Sequence, residues 1–138
     1  MRASIILSSL LVLHLCIASI AQTAASSKTA TTEAKPPAGV DPKLTSTDPE
    51  YGYSDKKPIK VGSVPDERVY LSMLLDEAGK PVTFRRLGSF GAGPDGHILD
   101  GYEVQTSTGR TVTLFIDMYH SKSDPKKQLA PKGFFKAK

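Results

Sequence analysis

Apolar residues recur at regular spacing in only one part of the chain, from Tyr51 to about Phe135. That stretch of about 85 residues can close one modest hydrophobic core and no more. Cysteine sharpens the constraint. Cys16 is the only cysteine in 138 residues, and it lies in an N-terminal apolar run. A fold built from the patterned part is therefore held by packing alone, without a disulfide or a thiolate-bound metal. Thiol redox chemistry is excluded by the same count. No internal repeat divides the segment.

The N-terminus reads as an export signal. Arg2 supplies a positive charge, Ile5 to Ile20 is apolar apart from serines and one histidine, and Ser19 and Ala21 stand at the −3 and −1 positions of a cleavage site. The strongly apolar part, Ile5 to Ile17, is shorter than the about 20 residues a membrane span needs, and Ser8, Ser9 and His14 interrupt it. The expectation is a signal peptide over residues 1–21, a secreted or periplasmic location, and no stable membrane anchor after cleavage. Lipid attachment at Cys16 would need a small residue before it, where Leu15 stands. Residues 22–50 are rich in Ala, Thr, Ser, Lys and Pro, with Val40 and Leu44 as the only large aliphatics. Such a segment buries too little to offset its ordering entropy, so it is expected to be a disordered tether. Residues 51–138 form the single domain.

Without residues 1–21 the chain carries 17 basic and 14 acidic residues, a net charge of +3. The only adjacent basic pairs in this part are Lys56-Lys57, Arg85-Arg86 and Lys126-Lys127. Nucleic-acid binding, which concentrates basic residues on one face, is not expected.

The pattern within the domain predicts an α+β fold, with one helix packed on an antiparallel sheet of three or four strands. Ile59 to Gly62 is a short strand. Ser63-Val64-Pro65-Asp66 has the cap, early proline and acid of a helix start, and Val69, Tyr70, Met73 and Leu74 share a helical face that ends at Gly79. Residues 66–76 also alternate as a strand would, but the caps favour the helix. Val82 to Leu87, Leu99 to Thr106 and Thr111 to Tyr119 alternate as strands. Ser107-Thr108-Gly109 joins the last two as a hairpin turn, and Gly88 to Gly96 reads as a glycine-rich loop. Gly133-Phe134-Phe135 is placed to fold back onto the sheet.

Candidate chemistry is sparse. His97, with Asp95 and Asp100 nearby, falls short of the three or four converging ligands a metal requires, so no metal and no cofactor are expected. His120 follows Asp117 by three residues, which on a strand puts them on opposite faces, so no direct pair is expected. Nothing in the spacing of Asp95, Asp100, Glu103 and Asp117 forces two carboxylates together, and no catalytic residue is assigned. Backbone amides of the glycine loop, with Arg85, Arg86, Ser89 and His97, are candidates for an anion site. Tyr51 and Tyr53, with Tyr102 and Tyr119, are candidates for either a partner surface or the core.

Several segments in order, among them Tyr51-Gly52-Tyr53-Ser54, Pro58-Ile59-Lys60-Val61-Gly62, Glu67-Arg68-Val69-Tyr70-Leu71, Arg86-Leu87-Gly88-Ser89, Leu114-Phe115-Ile116-Asp117-Met118-Tyr119 and Ala130-Pro131-Lys132-Gly133-Phe134, resemble a group of small exported bacterial proteins. Members of that group often carry the name 2-dehydro-3-deoxyphosphooctonate aldolase. The resemblance implies a secreted, envelope-associated single domain and transfers no catalytic residue. The aldolase name conflicts with length, because that enzyme is a (β/α)₈ barrel of about 250 residues. The expected function is a non-catalytic binding or adaptor module in the cell envelope, with an envelope protein or glycan as partner. The alternative is a small enzyme or binding protein for an anionic sugar acid or phosphate.

Overall fold

The computed structural model describes residues 36–137. The expected signal peptide, its cleavage site, Cys16 and residues 22–35 of the expected tether lie outside the described residues. No helix among the described residues is long and apolar enough to cross a membrane.

The elements are β1 (Ile59–Lys60), α1 (Val64–Ser72), β2 (Leu74–Leu75), β3 (Thr83–Ala92), β4 (Ile98–Gln105), β5 (Thr111–Asp117) and β6 (Phe135–Lys136). One helix on a sheet confirms the α+β class. The four-stranded sheet has the order β1-β5-β4-β3, and β2 and β6 form a separate antiparallel pair. The sheet is mixed rather than antiparallel throughout, because β1 runs parallel to β5. A parallel pair needs a long crossover, and the 50 residues from Lys60 to Thr111 supply it.

The helix starts as its caps predict. Ser63 Oγ accepts from the Asp66 amide at 3.4 Å, and Pro65 occupies the first turn. It stops at Ser72, earlier than expected. Gly79 instead takes a positive φ of 73° inside the turn that follows β2. The helix buries Glu67, Tyr70 and Leu71 and leaves Val69 exposed, so the inward face is rotated from the predicted one. Tyr70 and Leu71 meet Ile59, Val61, Tyr102, Val104, Leu114, Ile116 and Phe134 in one core on the inner face of the sheet. Phe134 does fold back, fully buried. The fold also begins before Tyr51. Val40 is buried and bridges to Ala137, and Thr45 bridges to Ala130.

The segment expected to be a loop is largely strand. β3 continues to Ala92, with irregularities between Arg86 and Gly88 and between Ser89 and Ala92. These breaks bend the β3–β4 hairpin over the outer face of the sheet. There Phe90 stacks edge-on against Phe115, with ring centroids 5.4 Å apart. Its ring lies on Gly101, where an added Cβ would come within 2.2 Å of the Phe90 ring. Leu99 is fully buried beneath Gly93, where a Cβ would meet Leu99 at 2.7 Å. Two glycines thus let a second, smaller apolar layer close over the outer face.

On the inner face the Tyr102 hydroxyl donates to Glu67 Oε2 at 2.7 Å, while Glu67 Oε1 is buried without a partner. Burial, with the nearby Asp100 carboxylate, outweighs the Tyr102 hydrogen bond and the charges of Arg86 and Arg68, and pushes the Glu67 carboxyl up to about 7.

Two outcomes follow from this packing. Gly101→Ala forces the Phe90 ring, itself 45% exposed, outward off the sheet and should cost up to about 1 kcal/mol, read as a lower urea midpoint. Glu67 holds a proton in the fold that the unfolded chain has already released, so its contribution is complete below pH 4.5 and is lost as pH rises through about 7. In Glu67→Gln that decline between pH 4.5 and 7 should disappear from the unfolding free energy.

Candidate metal centre

The folded-over hairpin carries Asp95 and His97 to the end of β5. The turn itself is tight: Gly96 N donates to Gly93 O, and Gly93 N donates to His97 O at 2.7 Å. The β4–β5 register pairs Leu99 with Asp117, so His97, two residues before Leu99, comes alongside the strand end. Its Nδ1 lies 3.1 Å from Asp117 Oδ2, within hydrogen-bond reach.

His120 arrives from the other side. β5 ends at Asp117, whose Oδ1 accepts from the Tyr119 amide at 3.1 Å and so closes a side-chain-supported turn. The His120 amide then donates to Val61 O at 2.9 Å, which pins the reversed chain beside β1. The His120 ring consequently swings back over Asp117, with Nε2 3.0 Å from Asp117 Oδ2 and 3.4 Å from Asp95 Oδ2. This corrects the expectation of no direct pair between Asp117 and His120. The two-face rule holds along a strand, and the strand has ended before His120.

Asp95, His97, Asp117 and His120 each offer one ligand atom, and these four atoms lie within 4.8 Å of one another. Three imidazole–carboxylate spacings, 3.0, 3.1 and 3.4 Å, lie near the about 3.3 Å edge of a tetrahedron with bonds of 2.0–2.1 Å, and the wider ones must close for all four atoms to reach one ion. Asp117 is fully buried. Burial works to raise its carboxyl, but the Tyr119 amide and the two histidines outweigh it and hold the group below the usual carboxylate range. Lys60, paired with Asp117 in the β1–β5 register, reaches across to Asp95 Oδ2 and holds that carboxyl low as well.

One atom is out of place for a purely hydrogen-bonded cluster. His120 Nε2 is buried and lies at ion-pair distance from two carboxylate oxygens, 3.0 and 3.4 Å, but without the alignment of a hydrogen bond to either. A buried ring nitrogen between two carboxylates needs positive charge there, carried by the ring itself or by a bound cation.

Of the residues expected to form an anion site, only Arg86 and Ser89 come together. Arg85 lies on the outer face and is bound by Glu103 through two hydrogen bonds, of 2.7 and 3.0 Å. Arg86 lies on the inner side, where Asp100 binds it at 2.6 and 2.7 Å and Ser89 Oγ accepts from it at 3.0 Å. Both guanidinium groups are already neutralised, and His97 belongs to the other cluster. Tyr51 and Tyr53 pack against the core, and the Tyr53 hydroxyl donates to Lys132 O at 2.6 Å. Burial pushes the Tyr51 phenol up to about 12.

No family model, curated protein or solved structure matches the chain. The site is therefore read from its own geometry. Asp117→Ala leaves two histidines and Asp95 without their central carboxylate and should cost about 1–3 kcal/mol, whereas Arg85→Ala on the same outer face should stay within about 0.5 kcal/mol. Thermal unfolding of the two variants beside the parent protein measures the contrast.

Proposed function

We propose that the domain is a binding module for a divalent first-row transition-metal ion, with zinc the best fit. The ion would be held by His97, Asp117 and His120, with Asp95 as fourth ligand. The observation that carries this reading is the convergence of four ligand atoms, with His120 Nε2 buried, lacking an aligned hydrogen bond and facing two carboxylate oxygens at 3.0 and 3.4 Å, near the edge lengths of a metal tetrahedron. Two imidazoles with two carboxylates suit zinc and its neighbours, whereas magnesium and calcium favour all-oxygen sets.

Four protein ligands leave a tetrahedral ion no open position, which is the arrangement of holding sites rather than catalytic ones. The reading thus agrees with a non-catalytic binding module. With the export signal read from residues 1–21, the module would meet its metal outside the cytoplasm. There a site without cysteine is immune to thiol oxidation.

A ligand that binds only the folded state raises the melting temperature. After treatment with a chelator and its removal, zinc should raise the melting temperature of the full chain, by about 2.7 kcal/mol of stability at a hundredfold excess over the dissociation constant. Magnesium should not. The His97→Ala/His120→Ala double variant should lose the zinc response while remaining folded. An unchanged melting temperature for the parent protein in excess zinc contradicts the assignment.

A further inference from the structure

The oxygen of Asp95 that faces His120 is the same oxygen that Lys60 holds. Asp95 Oδ2 accepts from Lys60 Nζ and lies 3.4 Å from His120 Nε2. Lys60 is not a distant surface lysine that happens to reach the cluster. The β1–β5 register sets its backbone opposite Asp117, and its ammonium pairs with Asp95. Both Lys60 and Asp95 remain partly open to solvent, while Asp117 is fully buried. The site therefore has one permanent carboxylate and one that an internal cation already occupies.

We propose that Lys60 is a built-in competitor of the metal: its ammonium stands in for the ion on Asp95 Oδ2, keeps the hairpin tip docked in the metal-free protein, and must release Asp95 for the fourth ligand to bind. This inference rests on the metal reading above and adds how affinity is set. An ammonium and a divalent ion repel, and one carboxylate oxygen cannot serve both at full strength. Lys60 thus weakens metal binding and strengthens the metal-free fold, two effects of opposite sign on one side chain. A lysine with a merely structural role would move both quantities in the same direction.

The test compares zinc affinity and metal-free melting temperature in the full chain for the parent protein, Lys60→Met, Asp95→Asn and the double variant. Lys60→Met should lower the metal-free melting temperature yet tighten zinc binding by up to about fivefold, the upper end of what an exposed ion pair supplies. Asp95→Asn should weaken zinc binding, and in that background Lys60→Met should have no further effect on affinity. Unchanged or weaker binding in Lys60→Met, with the parent protein still binding zinc, overturns the competition and leaves the metal site standing. An equal gain in the Asp95→Asn background also overturns it, since the effect would then be general charge removal. A parent protein that takes no zinc removes both the site and the inference.

Discussion

The outer-face site depends on the contact between the Phe90 ring and Gly101. Sheets of this size normally leave one face to water. Here the missing side chains at Gly101 and Gly93 admit Phe90 and Leu99, and an apolar layer forms on the face opposite the main core. That layer draws the β3–β4 hairpin over the sheet and sets Asp95 and His97 above the end of β5. Without it, Asp117 and His120 would have no partners from the hairpin, and Lys60 would have no Asp95 to hold.

Polar groups are treated differently on the two faces. Inside, Glu67 is buried against Tyr102 and is pushed towards neutrality, and the Lys136 ammonium is capped by the carbonyls of Pro125, Lys126 and Gln128. Burial brings Lys136 down to about 8. Both hydrogen-bond neutral partners, and burial drives each towards its uncharged form, although Glu67 Oε1 keeps no partner. The outer cluster instead gathers two carboxylates and two imidazoles around a small volume, with one ring nitrogen at ion-pair distance from both carboxylates and aligned with neither. Two carboxylates so placed call for positive charge among them, and Lys60 supplies part of it.

Much of the fold was legible because it is written in local chemistry. Ser63, Pro65 and Asp66 mark the helix start, and the turn at Gly109 marks the β4–β5 hairpin. The parallel edge strand was not legible, since two residues at Ile59–Lys60 carry no sign of their direction. Half of the site was within reach. The hairpin turn sets Gln105 against Thr111, and following that register leads to Leu99 against Asp117, with His97 just beyond. The other half was hidden by treating Asp117 to His120 as continuous strand, when the Asp117 side chain itself turns the chain. Asp95 was hidden for a third reason. Of the glycines that read as a flexible anion loop, Gly93 serves close packing against Leu99, while Gly88, Gly91 and Gly96 take positive φ in open space, and spacing expresses neither use.

The central claim is that four side chains from two distant segments hold one metal ion. X-ray absorption at the zinc edge of the loaded protein tests it most directly, because it reports ligand type, number and distance together. The account predicts a four-coordinate ion with two imidazole nitrogens and two carboxylate oxygens at about 2.0–2.1 Å. A spectrum without imidazole scattering, or one of a hydrated ion with oxygen neighbours only, would contradict it.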